Sequence, residues 1–271
     1  MRRRMPLRRC SMKPRSSKVA IVTGGTSGIG LAAVEALRER GCTVYALSRH
    51  GDIRCDVADE QSARAAVNEV YRREGRIDIL INCAGFGISG AAELTPLETA
   101  KQQLDVNLFG TANMIRAVIP IMRGQGGGRI VNTGSVAGFV PIPFQAWYSA
   151  SKAAIQSYTM AMGNELRPFH ITLAAVLPGD TKTGFTAARN KIDDPDNLYA
   201  GRIARSVARM ERDEQNGVPA KTVGKLMAKV ALKKKVKPTY IPGFSYNLVN
   251  VLMRLLPSGL ANRLIGLLYA K

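Results

Sequence analysis

Residues 18–30 read KVAIVTGGTSGIG, and LAAVEALRERG follows at once as residues 31–41. A short apolar run that stops on glycines and gives way to an amphipathic pattern ending in Gly41 is a strand, a tight turn and a helix. Gly24, Gly28 and Gly30 have the spacing G-x-x-x-G-x-G. Glycines so placed let the backbone turn sharply, and they let an anion approach the N–H groups at the start of the helix, where the dipole is positive. Similar turns join strands to helices in proteins that bind nothing, so the surroundings decide the reading.

Outward from this turn the same pattern repeats. TVYALS (43–48), DILINCAG (78–85), GRIVNTGS (128–135) and ITLAAVLPG (171–179) read as buried strands. Between them, EQSARAAVNEVYRREG (60–75), a stretch from about Pro96 to Met122, and Tyr148 to Leu166 read as helices. Strand–helix alternation at this pitch predicts an α/β fold, a doubly wound parallel sheet with helices on both faces, in one domain over 18–271. After Pro178 the pattern loosens. Residues 180–217 are polar and basic and read as a mobile substrate-loop segment. KTVGKLMAKVALKKK (221–235) is helical, with Lys221, Lys225 and Lys229 stacked on one face. From Tyr246 come two short apolar helices, broken at Pro257-Ser258-Gly259.

The 271 residues carry 39 Lys and Arg against 20 Asp and Glu, a net charge of +19. The first eighteen residues hold eight of those cations and no acid; the rest of the chain keeps 31 against 20, or +11. With no apolar run behind the charges, residues 1–17 read as a disordered basic arm and not as a secretory signal. Lys182 to Lys237 concentrates fourteen basic against six acidic residues. Cys10, Cys42, Cys55 and Cys83 lack metal-ligand spacing and read as reduced thiols, which suits a cytoplasmic protein. No apolar run reaches the ~18 residues of a membrane span. His50 and His170 are the only histidines, so a histidine base has few candidates.

The end of the second strand selects the dinucleotide. An acid there would hold a ribose 2′-OH and favour NAD. This chain has Ser48 and Arg49. A guanidinium pairs bidentately with a 2′-phosphate and a small hydroxyl leaves room for it, which favours NADP(H). Thr26 and Ser27 can add hydrogen bonds to phosphate.

Taken together, TGGTSGIG, Cys55-Asp56-Val57, Asn82-Cys83-Ala84-Gly85, Asn107, Ser135, Tyr148-x-x-x-Lys152 and Pro178-Gly179 resemble, in order and spacing, the short-chain dehydrogenase/reductase family, over about residues 17–185. The resemblance implies a Rossmann-type fold and a nicotinamide cofactor held by Gly24, Thr26, Ser27, Gly28, Ile29 and Gly30 on its phosphates. It implies Asp56 and Val57 on the adenine and Asn82, Ala84 and Gly85 along the ribose. Pro178, Gly179, Thr181 and Thr183 fall beside the carboxamide. It implies Tyr148 as general acid/base, Lys152 as its electrostatic partner and ribose ligand, Ser135 as anchor of the substrate oxygen, and Asn107 as holder of a relay water. Two departures stand out. The usual second Asn of Asn-Asn-Ala-Gly is Cys83, and only six residues separate Arg49 from Asp56, so the helix often found there is missing.

Physical chemistry supports the pairing of Tyr148 and Lys152. An ordinary tyrosine pKa of about 10 is too high for efficient proton exchange near neutrality. An ammonium one helical turn away, together with the positive nicotinamide, is expected to favour phenolate and lower it. Taken singly, Ser135 reads as a strand-end cap, Asn107 as a helix-turn hydrogen bonder, and Tyr148/Lys152 as an exposed i,i+4 pair.

Phe86-Gly87-Ile88, Val136 to Phe144, Trp147 and Phe185 make an apolar pocket wall, suited to a bulky steroid-like, retinoid or acyl-lipid carbonyl or alcohol. The basic segment suggests an anionic handle on that substrate, an acidic carrier protein or a membrane surface; 3-oxoacyl carrier-protein reduction is the second enzymatic reading. A third, from another class, is a non-catalytic NADP-sensing protein that binds nucleic acid, but no nucleic-acid motif is present and nucleic acid is not expected as a partner. The resemblance also implies a homodimer or homotetramer, paired through the helices near 96–122 and 148–166. The apolar tail helices read as interface or core packing before membrane contact.

Overall fold

The computed structural model describes residues 17–270; the basic arm up to Ser16, with Cys10, lies outside the described residues. The first strand, β1 (Val19–Thr23), is buried along its whole length, and the glycine turn leads into α1 (Gly28–Arg38). Then come β2 (Thr43–Ser48), β3 (Ile53–Arg54), α2 (Glu60–Glu74) and β4 (Ile79–Asn82). The connection from β2 to β3 is only residues 49–52, so no helix intervenes. Asp59 caps α2 by accepting from Gln61 N at 2.8 Å, and Gly75, at φ 69°, ends it.

Beyond β4 the chain forms β5 (Ile88–Ser89), α3 (Leu97–Leu104), a π-turn over Asp105–Phe109 and α4 (Gly110–Gly124). The helix expected from Pro96 to Met122 is therefore one rod carrying a bulge, a feature common at functional sites. β6 (Gly128–Thr133), α5 (Ala146–Glu165) and β7 (Ile171–Val176) complete the central pattern.

The main sheet has seven strands. Its last member is β11 (Thr239–Tyr240), and the order is β11-β7-β6-β4-β1-β2-β3, with every pair parallel. Two apolar layers cover it. One, with Ile21, Leu80, Met114 and Ile130, packs against α2 and α4; the other, with Val22, Ile81 and Val131, packs against α1 and α7 (Ala220–Leu232). This is the doubly wound arrangement in which ligands bind at the carboxyl ends of the strands, where the order reverses between β1 and β4.

Residues 180–217 hold more regular structure than their sequence suggests: β8 (Thr181–Lys182), β9 (Asn190–Lys191) and α6 (Arg202–Gln215). On α6, Ile203, Val207 and Met210 are buried, a single apolar stripe on an otherwise charged helix. The segment ends at β10 (Val218–Pro219), which pairs with β8. The tail forms α8 (Phe244–Leu255) and α9 (Ser258–Tyr269). Only Ala261 and Ile265 of α9 are buried, and no residue of α8 is, so core packing does not account for these helices. Among the described residues, no helix is long and apolar enough to cross a membrane.

Candidate active site

Gly24 and Gly30 leave no room for a side chain. A Cβ on Gly30 would stand 2.1 Å from the Gly24 carbonyl oxygen, and one on Gly24, at φ +63°, would stand 2.9 Å from Ala84 N. Ser27 precedes α1 without a side-chain cap, and no acid occupies the first turn. The N–H groups of Gly28, Ile29 and Gly30 and the positive helix end thus face an anion-sized cradle. Residues of this kind fit the diphosphate of a dinucleotide.

At the end of β2, Thr26 donates to Ser48 Oγ at 3.3 Å, and Ser48 Oγ also accepts from His50 N at 3.0 Å. Arg49 is exposed beside them. The carboxylate in this turn, Asp52, is engaged by Ala46 N and Arg38. Asp56 caps its own turn through Ala58 N, while Val57 is buried and its carbonyl accepts from Asn113.

The strand ends bring the remaining residues together. Thr23 Oγ1 accepts from Cys83 N and Ala84 N, clamping the end of β4 to β1. A Cβ on Gly85 would stand 2.9 Å from Asn107 Oδ1 and 3.9 Å from Lys152 Nζ. The π-turn turns Asn107 inward, where Oδ1 accepts from Phe86 N at 3.0 Å and Nδ2 donates to Phe86 O and Ser151 Oγ. Its amide therefore holds the Gly85-Phe86 backbone. Asn82 turns into the core: its Nδ2 donates to Asn132 Oδ1, whose own amide donates to Thr159. Asn82 Oδ1 is buried without a partner.

Ser135 follows β6. Its Oγ accepts from Ala137 N and donates to Pro178 O at 3.4 Å. Its hydroxyl also acts on the Tyr148 phenol, favouring the ionised form. The Tyr148 ring lies 5.6 Å from that of Phe185, which presses on Gly87; there a Cβ would meet Phe185 Cζ at 2.7 Å. Lys152 is 6% exposed, and its Nζ donates to Thr133 O at 3.0 Å and stands 5.7 Å from the Tyr148 ring centroid.

Burial lifts the Tyr148 phenol to about 12, while the Ser135 hydroxyl pulls the other way. The lowering expected from the ammonium and the nicotinamide together is not present in the cofactor-free protein, where desolvation of the phenolate dominates. Burial likewise lowers Lys152 to about 8.

After β7 the chain passes Pro178 and Gly179. Thr181 Oγ1 is occupied by the Gly179 carbonyl, whereas Thr183 lies across from Gly28, its Cβ 3.6 Å from where a Cβ there would be. Several residues here escaped sequence reading. Tyr246 of α8 covers Gly179 and bonds both the amide and the carboxylate of Asp180. Behind Phe185, the fully buried Arg189 pairs with Glu214 of α6. A tyrosine in an apolar tail and an arginine in a basic stretch carry no signal of such partners. Asn132 does, as an amide directly after the buried apolar pair Ile130-Val131.

A glycine cradle beside a half-buried Tyr and Ser and a buried Lys defines an oxidoreductase of the CH–OH/C=O type. The comparisons agree. Residues 51–194 match the family model described as short chain dehydrogenase. A 3-ketodihydrosphingosine reductase of Bacteroides thetaiotaomicron is 39% identical over 227 residues, covering 80% of this chain and 84% of that one. Two solved short-chain dehydrogenases share the fold at TM-score 0.73 and 24% identity: one from Burkholderia phymatum with NAD, covering 90% of this chain and 94% of its own, and one from Burkholderia cenocepacia with NADP, covering 94% and 98%. The chain belongs to the short-chain dehydrogenase/reductase family.

Proposed function

We propose that this enzyme uses NADP(H) to interconvert a ketone and a secondary alcohol on a long-chain lipid, in the manner of a 3-ketosphingoid base. The observation that carries the reading is the convergence of Ser135, Tyr148 and Lys152 on one point beside the glycine cradle. Of the substrate classes suited to the apolar wall expected from the sequence, the acyl-lipid is favoured by the relative named a 3-ketodihydrosphingosine reductase.

The nicotinamide supplies the hydride when bound. Ser135 orients the carbonyl oxygen, and Tyr148, which holds its proton throughout the neutral range, delivers that proton to the oxygen as charge develops. Lys152, at 3.0 Å from the Thr133 carbonyl and, among the described residues, with no carboxylate in salt-bridge contact, is free to bind a ribose hydroxyl and to stabilise the phenolate left behind. Asn107 fixes the Gly85-Phe86 backbone that forms the neighbouring wall. Ser48, Arg49 and Thr26 take the 2′-phosphate, with Thr183 and Gly28 closing over the diphosphate.

Oligomerisation is assigned to α4 and α5. Phe109 and Met160, exposed large apolar residues near these helices, are available for pairing with a second copy.

The test is a substrate panel with both cofactors, following loss of NADPH or NADH absorbance with 3-ketodihydrosphingosine, a ketosteroid and a 3-oxoacyl thioester. The proposal expects turnover of the ketosphingoid with NADPH. Turnover of the steroid or thioester alone, or preference for NADH, overturns the corresponding part.

A further inference from the structure

The two C-terminal helices turn apolar stripes away from the protein. On α8, Phe244, Leu248, Val251, Leu252 and Leu255 are exposed, and offsets of four, seven, eight and eleven residues put them on one face. The opposite face, with Tyr246, Val249 and Met253, is half-buried. α9 repeats the arrangement, with Leu260, Leu264, Leu267 and Leu268 outward and Ala261 and Ile265 buried. These nine are more than half of the sixteen large apolar side chains exposed among the described residues. A helix at the surface of a water-soluble domain ordinarily points such a stripe at the core.

Charge follows the same segment. No Asp or Glu occurs after Glu214, while ten Lys and Arg do. Lys221, Lys225 and Lys229 line the outer face of α7, Lys233, Lys234, Lys235 and Lys237 are exposed just beyond it, and Arg254 and Arg263 are exposed on α8 and α9 themselves. Among the described residues none of these forms an ion pair. A second copy is a poor match, because two such faces would meet cation against cation. Apolar stripes on short helices carrying cations and no acids match the headgroup layer of a bilayer that holds acidic lipid. At twelve residues each, α8 and α9 are too short to span it.

We propose that α8 and α9 dock this enzyme in the plane of a membrane bearing anionic phospholipid. Tyr246, on the inner face of α8, covers Gly179 and bonds Asp180, so the docked surface is joined directly to the rim of the site. The proposal is independent of which carbonyl is reduced.

Co-sedimentation of the full chain with phosphatidylcholine vesicles, with and without phosphatidylglycerol, tests it. The comparison is the Leu252→Glu/Leu255→Glu/Leu264→Glu variant, whose three positions are exposed and whose basic arm is intact. The expected result is binding to the anionic vesicles at least about tenfold tighter than to the neutral ones, weakened by salt, and at least about tenfold weaker in the variant. Dinucleotide binding stays unchanged. Absence of binding, equal binding by variant and wild type, or light scattering that shows an oligomer dismantled by the three glutamates would overturn it.

Discussion

Lys152 Nζ stands 5.7 Å from the centroid of the Tyr148 ring and donates to the Thr133 carbonyl at 3.0 Å. One helical turn of α5 thus places a cation and a phenol in the same dry corner at the end of β6, and burial acts on both. It favours the neutral amine and the neutral phenol together.

That corner has a consequence for stability. Burial depresses Lys152 from 10.5 to about 8. Between those values the unfolded chain holds a proton that the folded chain has released, so stability rises with pH across this window, and below it the full cost of the buried charge is present. Lys152→Met should therefore stabilise the cofactor-free protein at pH 7 by about 1–3 kcal/mol, with the difference fading by pH about 10. Urea unfolding at several pH values measures this; a variant less stable than wild type at pH 7 contradicts it.

The proposed preference for NADP(H) rests on Arg49. If Arg49 meets a 2′-phosphate, Arg49→Ala removes a charge-assisted contact of about 1.5–3 kcal/mol and should raise KM for NADPH about 10–100-fold. KM for NADH should move less than about threefold. Equal effects on both cofactors would show that the residue does not meet the phosphate.

Asn107→Ala tests the π-turn. Gln103 also donates to Phe86 O at 3.0 Å, so the carbonyl stays satisfied while Phe86 N–H loses its acceptor. The expected cost is about 1–3 kcal/mol of stability, read by urea unfolding. Because the residue positions the wall and not the cofactor phosphates, kcat should fall while KM for NADPH holds. A fall in cofactor affinity alone would place its role elsewhere.

The glycine cradle is tested by Gly30→Ala. The added methyl meets backbone at 2.1 Å and cannot swing aside, so α1 must shift from the turn. The prediction is loss of dinucleotide binding by fluorescence titration, with about 1–3 kcal/mol of destabilisation. Binding within about threefold of wild type would mean that the turn is looser than its geometry.

The alternation of buried strands and amphipathic helices made the sheet legible in the chain, because burial on both faces forces continuous apolar runs such as VAIVT and ILIN. The glycine turn and the Tyr148/Lys152 spacing were legible for a similar reason: each is a local constraint written within a few residues. What escaped is set by distant contacts. α6 is charged on all but one stripe, so Ile203, Val207 and Met210 were lost among arginines. The Asn107 bulge depends on where Phe86 lies, and the latch of Tyr246 on Asp180 joins residues 66 positions apart. The upward shift of Tyr148 reflects burial, which spacing does not encode.

The central claim is that Tyr148 carries the transferred proton. Steady-state reduction of 3-ketodihydrosphingosine by NADPH, compared between wild type and Tyr148→Phe alongside NADPH titration, tests it most directly. The account predicts kcat lower by about 10²–10⁴ with NADPH affinity retained; a phenylalanine variant that turns over within about threefold of wild type would contradict it.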